Sequence, residues 1–335
     1  MLLGVDLASL SARRLRVHLG LVPEGDTLFR LAAILRPALV GKKVLNLRLP
    51  REELGVGRRV VGHVVTVVEA HGKNLLIHFD EGTVLHTHLR MNGVWHLYPA
   101  GQKWRRSEAN AVVILEVESH TAVCYQAPVV RLLRAKALAH DPRLGALGPD
   151  VLRDDFDEDE AVRRLRRRDA QPLGVAIMDQ QALAGVGNVF KSEILFIAKL
   201  DPFALVSSFS DEELRRVVQL SVKLLGRNVR HHREPAQVDA RWPAYRFSRR
   251  VTRESLGQGT GLVYVYGRSR KLCTVCGDTV RMARQGTMMR STYYCPTCQN
   301  VGSDDSAPNA KEKETTAAGE PSETSREEAE ESPFD

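Results

Sequence analysis

The chain has 335 residues, of which 43% are hydrophobic and 27% are charged. This length exceeds the roughly 100–200 residues of one domain, and no stretch approaches the about 18 consecutive apolar residues of a transmembrane helix, so we expect two or three folded units and no membrane partner. The net charge of +7 conceals an asymmetry, because residues 1–300 hold 45 basic and 30 acidic side chains while residues 301–335 hold 3 and 11. The basic excess in the first 300 residues favours a polyanionic partner, and nucleic acid is the leading candidate.

The first half of the chain carries one helical pattern followed by strand patterns. Apolar residues recur at positions 28, 31, 32 and 35, which predicts a helix that starts almost at Pro23. Asp80-Glu81-Gly82 is typical of a hairpin turn. Runs rich in β-branched residues predict five strands, at Val60–Val68, Leu75–Phe79, Val84–His88, Ala111–Val117 and Thr121–Tyr125. This half is therefore expected to be a β-sandwich.

After residue 150 the pattern becomes helical and richer in polar residues. Four helices are predicted, near residues 156–169, 172–182, 189–198 and 210–231. Residues 232–260 show no regular pattern, and residues 262–300 form a small module with four cysteines. The tail after residue 300 has too few large apolar side chains to form a core, so we expect it to be disordered.

Four of the five cysteines form two pairs, Cys273-Thr-Val-Cys276 and Cys295-Pro-Thr-Cys298, with eighteen residues between the pairs. This spacing fits a tetrahedral four-cysteine zinc site, and because four thiolates leave no open coordination position, one structural ion is expected. Free or reactive thiols are the alternative. Cys124 lies in an apolar run and is interpreted as a core residue. The cysteine usage indicates a reducing compartment, and the chain start does not resemble an export signal, so a cytoplasmic location is expected.

Residues 178–196 include a Gly-x-Gly-Asn turn, from Gly185 to Asn188, between two predicted helices. Glycines allow close backbone approach, and the amides that open the second helix are able to bind a phosphate, although an ordinary helix–helix turn explains the pattern equally well. No strand precedes these glycines, so a dinucleotide-binding fold is disfavoured. Arg290, between the cysteine pairs, suits a phosphate contact, with simple solvation as the alternative. A run of arginines on one helix is interpreted as a solvated face: Arg163, Arg164, Arg166, Arg167 and Arg168.

Five motifs occur in an order that resembles the formamidopyrimidine-DNA glycosylase/endonuclease VIII family: Pro23-Glu24-Gly25-Asp26-Thr27, Gly72-Lys73-Asn74, His88-Leu89-Arg90-Met91-Asn92-Gly93, the Asp179–Phe196 stretch and the four-cysteine module. The resemblance extends over about residues 22–300. It implies an α+β multidomain protein. The expected parts are an N-terminal β-sandwich catalytic domain with flanking helices (23–150), a helix–two-turn–helix DNA-binding domain with its linker (151–260), a zinc finger (261–300) and a disordered acidic tail (301–335).

The resemblance also implies an activity, a bifunctional glycosylase and AP lyase that clamps damaged double-stranded DNA. Pro23 would attack C1′ of the damaged nucleotide through its amine, Glu24 would transfer a proton, and Lys73 would bind a phosphate near the lesion. Asn188 and Arg290 would grip the backbone beside the extruded nucleotide. Met91 would fill the gap that the flipped base leaves. A monomer without a small-molecule cofactor is expected.

Two departures from the family pattern favour the endonuclease VIII branch, excision of oxidised pyrimidines and strand cleavage by β,δ-elimination. Nothing around Gln126–Leu133 matches the arginine/phenylalanine loop of the 8-oxoguanine branch, and no glycine-rich lesion-capping loop is recognisable before Val265. Asp26-Thr27 replaces the Pro-Glu that often follows in the family, which leaves a second carboxylate near the nucleophile in doubt. An 8-oxoguanine glycosylase and a catalytically silent DNA-binding protein are the alternatives.

Residues 1–22 pose a chemical problem for this mechanism. An internal proline has an amide nitrogen with no basic lone pair, so Pro23 cannot act as the nucleophile while the extension is attached. Val22 stands where the initiator methionine of the family would be. We therefore expect residues 1–22 to be absent from the mature protein.

Overall fold

The structure is a computed structural model that describes residues 23–49, 59–229 and 263–302. The predictions for the extension 1–22, for the 232–260 segment and for the acidic tail beyond residue 302 lie outside the described residues. Within the described ranges, no helix is both long enough and apolar enough to cross a membrane.

Helix α1, Gly25–Leu39, begins directly after Glu24, close to the start that the apolar spacing predicted. Its leucines at positions 28, 31, 35 and 39 are buried and pack against the strands that follow. Burial of each such side chain contributes about 1.5–3 kcal/mol, so this face of the helix is firmly held. The packing fixes Pro23 and Glu24, at the N-terminal end of α1, relative to the sheets.

The described residues form two four-stranded antiparallel sheets that face each other. The first sheet has the order β1-β6-β7-β5, with β1 (Val44–Arg48), β5 (Val94–Pro99), β6 (Ala111–Val117) and β7 (His120–Tyr125). The second has the order β2-β3-β4-β8, with β2 (Val65–His71), β3 (Asn74–Phe79), β4 (Thr83–His88) and β8 (Val129–Arg134). Short 3-10 segments lie at Glu108–Asn110 and Ala135–His140. Buried side chains from both sheets form one hydrophobic cluster, and the predicted β-sandwich is confirmed.

The strand predictions differ from the structure in two respects. The strand predicted at Val60–Val68 begins only at Val65, because Gly62 has a φ of +92° that a strand does not accommodate. Strands β1, β5 and β8 were not predicted from the sequence. Polar or charged side chains interrupt the apolar pattern in all three, and β5 ends in Pro99. Pairing with neighbouring strands, rather than local pattern, forms them.

The second half is helical and has its own hydrophobic cluster. Its helices are α2 (Glu158–Arg166), α3 (Leu173–Ala176), α4 (Asn188–Ala198) and α5 (Asp211–Val229), with a 3-10 segment at Val206–Ser208. Helix α2 starts where Asp157 accepts a hydrogen bond from the amide of Glu160 at 2.8 Å. The helix predicted at 172–182 is cut to four residues, because Asp179 accepts the amide of Gln181 and starts a turn.

The arginines at positions 163–168, in α2 and just after it, are more than a solvated face, and that interpretation was wrong in part. Arg164 donates to the carbonyl of Gln181 at 2.9 Å, and Arg166 donates to the carbonyl of Phe209 at 2.9 Å. Arg168 pairs with Asp179 at 2.6 Å. These side chains tie loops of the helical half together, while Arg163 and Arg167 are exposed.

The cysteine module is a hairpin of β9 (Arg281–Gln285) and β10 (Arg290–Tyr294), held against α4. The fully buried carboxylate of Glu193 accepts the amides of Tyr264, Val265 and Tyr266 at 2.7–2.9 Å. A buried charge is stable only with such partners, so this contact fixes the start of the module on the helix.

Candidate active site

One cleft runs between the β-sandwich, the turn before α4 and the β9–β10 hairpin. The structure brings all six predicted catalytic and DNA-contacting residues to its lining: Pro23, Glu24, Lys73, Met91, Asn188 and Arg290. They come from five separate stretches of the chain and meet only in the folded molecule. The lining also carries Arg90, Arg143 and Lys191, so cations outnumber the carboxylates of Glu24 and Asp179. A cleft with this charge favours a polyanion.

The carboxylate of Glu24 caps helix α4. Its oxygens accept the amides of Gly187 at 3.1 Å, Val189 at 2.8 Å and Phe190 at 3.3 Å, and the side chain is buried. The suggestion that these helix-opening amides bind a phosphate was therefore wrong, because Glu24 occupies them. A signal for this contact was present in the sequence, since Gly187 at the N-cap position has no side chain to cap the helix.

The two positions of the turn require glycine for different physical reasons. Gly185 has a φ of +99°, and its carbonyl accepts the amide of Gly25 at 2.9 Å. Gly187 is needed for space, because an added Cβ would lie 2.4 Å from Cγ and Cδ of Glu24. The Gly-x-Gly pattern thus allows the start of α1 to approach the start of α4.

Lys73 lies in a two-residue turn between β2 and β3, in which His71 pairs with Asn74. Gly72 precedes it with a φ of +57°, as a tight hairpin turn requires. The side chain of Asn74 donates to the carbonyl of His71 at 3.0 Å, and the amide of Gly72 donates to Asp150 at 2.6 Å. The turn is therefore held from both sides.

Two histidines of β4 lie at the cleft in neutral form. Burial, together with the nearby Lys73 and Arg90, lowers the pKa of His88 to about 4. Its Nδ1 accepts the amide of Arg90 at 3.1 Å, so Nε2 carries the proton. Burial also lowers the pKa of His86 to about 4, and its Nε2 bonds to Asn74 at 2.8 Å. His86 thereby supports the Lys73 turn.

Asn188 and Arg290 are brought together by Ser291. The Nδ2 of Asn188 donates to the hydroxyl of Ser291 at 3.1 Å, which leaves the buried Oδ1 without a partner among the described residues. A hydroxyl both donates and accepts, so the rotated amide would bond Ser291 equally well and turn its NH₂ toward a ligand. The Nε of Arg290 also has no partner among the described residues. Both groups are thus suited to an anion in the cleft.

Lys191 is a cleft residue that the sequence analysis missed. It stands three residues after Asn188, on the same face of α4, and its side chain is fully buried. The Nζ atom donates to the hydroxyl of Thr292 at 2.8 Å and to the carbonyl of Ser291 at 3.1 Å. Burial lowers the pKa of Lys191 to about 7, Glu24 opposes this shift, and Arg290 adds to it.

Met91 projects from the turn after β4. Its side chain is 55% exposed, which is unusual for a methionine. The turn closes through a hydrogen bond from the amide of Gly93 to the carbonyl of Leu89 at 2.8 Å. A Cβ on Gly93 would lie 2.6 Å from that carbonyl oxygen, so the turn that presents Met91 depends on glycine.

Asp26 does not supply a second carboxylate to the cleft. Its side chain is fully buried and pairs with Arg30 at 3.1 Å, and it is not among the described residues that line the cleft. The stretch Gln126–Leu133 contains no long loop, because only three residues separate β7 from β8. Both features agree with the departures noted in the sequence.

The four cysteines of the hairpin module form one cluster. Their sulfur atoms all lie within 4.8 Å of one another, with Cys273 and Cys298 at 3.8 Å and Cys276 and Cys295 at 3.4 Å. None is in a disulfide, and Cys124 is buried in the sandwich core as expected. Four convergent thiol ligands make this a site that could hold a metal ion.

Known proteins match most of the chain. Residues 22–129 match the family described as formamidopyrimidine-DNA glycosylase N-terminal domain, and residues 147–239 match the formamidopyrimidine-DNA glycosylase H2TH domain. The chain is 36% identical to probable endonuclease 8 2 of Streptomyces coelicolor, over 83% of this chain and 94% of that protein. It is 32% identical to the DNA-(apurinic or apyrimidinic site) lyase Nei2 of Mycolicibacterium smegmatis, over 84% of this chain and all of the relative.

Solved structures share the fold. MutM in complex with DNA containing carbocyclic 8-oxo-G matches with a TM-score of 0.66 at 17% identity, over 83% of this chain and 99% of that one. The chain belongs to the formamidopyrimidine-DNA glycosylase/endonuclease VIII family. Relatives named endonuclease 8 place it toward the endonuclease VIII side, as the motifs indicated. The expected combination of β-sandwich, helix–two-turn–helix domain and cysteine finger is confirmed.

Replacement of Gly187 by Ala tests the cap. The new Cβ would displace the Glu24 carboxylate, and we expect a loss of about 2 kcal/mol in the free energy of unfolding by urea. The matched control is Gly226→Ala in α5, where nothing lies within 4 Å of the added Cβ. Alanine there should stabilise the helix by up to about 1 kcal/mol. Equal effects at both positions would contradict the proposed fit.

Lys191→Met tests the buried amine by its pH dependence. Folding lowers the pKa of Lys191 from 10.5 to about 7, so the unfolded chain binds more protons between these values and this group's contribution to stability rises with pH. From about pH 7 to about pH 9, the unfolding free energy of the parent should therefore rise by about 2 kcal/mol relative to the variant. Parallel pH profiles in urea denaturation would show that the amine is not perturbed.

Proposed function

We propose that this protein is a bifunctional DNA glycosylase and AP lyase of base-excision repair. It extrudes an oxidised base from duplex DNA, excises it and cleaves the strand at the abasic site. The observation that supports this most strongly is the convergence of Pro23, Glu24, Lys73, Asn188 and Arg290 on one basic cleft. Relatives named endonuclease 8 and AP lyase are consistent with this reaction.

The nucleophile is the amine of Pro23. Its nitrogen forms a bond to C1′ of the damaged nucleotide, and the base leaves with the glycosidic electron pair. The C1′–O4′ bond of the sugar ring then breaks, O4′ takes up a proton, and the adduct becomes an iminium. The iminium makes the C2′ proton acidic, so loss of that proton expels the 3′ phosphate, and a second elimination expels the 5′ phosphate. This chemistry requires a basic nitrogen, so the active form begins at Pro23.

Glu24 moves the proton at the sugar ring oxygen as the ring opens. It adjoins the nucleophile in sequence, and the three amides of the α4 start hold its carboxylate in one orientation. A fixed carboxylate beside the reacting carbon is what general acid–base catalysis needs. The cap therefore serves both the fold and the reaction.

Lys73, Asn188 and Arg290 bind the phosphates that flank the extruded nucleotide. The unpartnered Nε of Arg290 supports this role, since a phosphate oxygen would accept its hydrogen bond, and Asn188 would donate through its NH₂ once its side-chain amide is rotated. Met91 fills the gap in the base stack, for which its exposed and flexible thioether is suited.

Oxidised pyrimidines are the proposed lesions, and 8-oxoguanine is the alternative. The short connection between β7 and β8 supports the first choice, because it leaves no loop to face the orphaned base. Excision rates on duplexes that carry one oxidised pyrimidine or one 8-oxoguanine distinguish the two. A preference for 8-oxoguanine would contradict the assignment.

Borohydride trapping on duplex DNA with an oxidised pyrimidine or an abasic site tests the reaction. The chain that begins at Pro23 should form a covalent adduct and incise the strand, whereas the chain that begins at Met1 should do neither. The matched control carries one additional residue before Pro23, which blocks the nitrogen without the rest of the extension. A silent DNA-binding protein, the alternative function, would give no adduct in any form. An adduct with the Met1 chain would contradict Pro23 as the nucleophile.

Salt dependence tests the phosphate contacts. Arg290→Ala should weaken binding to all duplex sequences alike and lower the slope of log K against log salt by about 0.9. Asn188→Ala removes no cation, so we expect weaker binding with a nearly unchanged slope. An unchanged affinity and slope for Arg290→Ala would refute its role.

The cysteine cluster holds one structural zinc ion. Tetrahedral coordination at about 2.3 Å places sulfur atoms about 3.8 Å apart, which fits the observed separations of 3.4 and 3.8 Å. Zinc there braces a hairpin that is too small to fold by itself. Cys295→Ser should release the metal and weaken DNA binding together. Elemental analysis that finds no zinc in the purified protein would overturn this proposal.

A further inference from the structure

The buried carboxylate of Asp150 links the two halves of the molecule at the turn that carries Lys73. Its Oδ2 accepts the amide of Gly72 at 2.6 Å, and its Oδ1 accepts the amide of Leu152 at 3.0 Å. Only 5% of the residue is exposed. A charged acceptor at this distance from a backbone amide forms a strong hydrogen bond, so the first residue of the turn is tightly held.

Asp150 is itself anchored to the segment before α4. The amide of Ala184 donates to the carbonyl of Pro149 at 2.9 Å, and the amide of Val151 donates to the carbonyl of Ala184 at 3.3 Å. A Cβ on Gly72 would lie 3.3 Å from Cβ of Ala184, so the turn packs closely on the same segment. That segment continues into Gly185 and α4.

Lys73 is held at the tip of the β2–β3 hairpin. It lies in a turn of two residues, and the turn extends beyond the last paired residues of β2 and β3, His71 and Asn74. The Asn74 side chain closes the turn internally, whereas Asp150 ties it to the opposite side of the cleft. The hydrogen bond to Asp150 therefore links the position of Lys73 directly to the segment that continues into α4.

We propose that Asp150 is a positioning residue that sets the place of Lys73 relative to Asn188, so that both reach phosphates of one DNA strand. The inference rests on the proposed phosphate role of Lys73. It adds a residue that touches neither DNA nor the reacting atoms. An error of about 1 Å in the placement of a group that binds the substrate can lower the reaction rate by up to about 100-fold, so a contact that fixes Lys73 matters for activity.

A double-mutant cycle in equilibrium DNA binding tests this inference, with a duplex that carries a tetrahydrofuran abasic analogue. The four proteins are the parent, Asp150→Asn, Lys73→Met and the double variant. Lys73→Met should weaken binding several-fold and lower the salt slope by about 0.9. Asp150→Asn places an amide NH₂ against the Gly72 or Leu152 amide, so it should weaken binding and lower the slope in the same way. The double variant should equal Lys73→Met within about twofold.

The direction of the Asp150→Asn effect separates positioning from bulk charge, because loss of a negative charge alone would strengthen DNA binding. Asp141→Asn is the matched control. Asp141 is also buried, accepts the loop amides of Arg143 and Leu144 at 3.0 and 3.1 Å, and pairs with Arg131 at 2.6 Å. Among the hydrogen bonds of the described residues, none joins Asp141 to the Lys73 turn. Asp141→Asn should change the DNA affinity by the same factor whether residue 73 is Lys or Met.

Each other outcome counts against the inference. If Lys73→Met leaves binding unchanged, the phosphate role of Lys73 fails, and the inference fails with it. If Lys73→Met weakens binding but Asp150→Asn does not, the positioning role of Asp150 is refuted while the phosphate role of Lys73 stands. The same conclusion follows if the effects of the two substitutions on the affinity multiply in the double variant. Melting curves identify variants that do not fold, and Asp150→Ser then replaces Asp150→Asn. Loss of folding in both would show a role in the whole fold and overturn the inference.

Discussion

The cap that Glu24 forms on α4 is the interaction on which the rest of the site depends. It joins residues more than 160 positions apart in the sequence, and it brings a carboxylate to the positive end of a helix. Neither partner is stable alone in a buried setting, because the carboxylate would lack donors and the amides would lack an acceptor. Because Pro23 adjoins Glu24, the same contact also places Pro23 in the lining of the cleft.

Helix α4 connects Pro23 and Glu24 with the cysteine module. Glu24 binds its first turn, while Glu193 further along accepts three amides at the entry to the module. Between them, Lys191 contacts Thr292, and Ser192 accepts the amide of Tyr293 at 3.2 Å. An eleven-residue helix thus determines where Arg290 stands relative to Pro23. A loosened hairpin would therefore move Arg290 without any change at Pro23 and Glu24.

Local sequence patterns predicted those elements that short-range features of the chain specify. The leucine spacing of α1, the Asp80-Glu81-Gly82 turn and the cysteine pairs each carry their own signal, and the structure agrees with all three. Strands β1, β5 and β8 and the shortened α3 depend on distant partners, so no local pattern reveals them. The residues of the site also divide into those with a local sequence signal and those without one. The motifs named the residues that meet in the cleft, but not Asp150 or Lys191, since each acts through a contact with a residue far away in sequence.

The cleft is rich in positively charged side chains, and this charge lowers the pKa values of its buried basic groups. Burial lowers the pKa values of His86 and His88 to about 4 and of Lys191 to about 7, and neighbouring cations contribute to each shift. A DNA phosphate beside Arg290 would supply the missing negative charge and favour the protonated form of Lys191. With a phosphate at that position, phosphate binding and proton uptake by Lys191 would be linked, and each would strengthen the other by the same free energy.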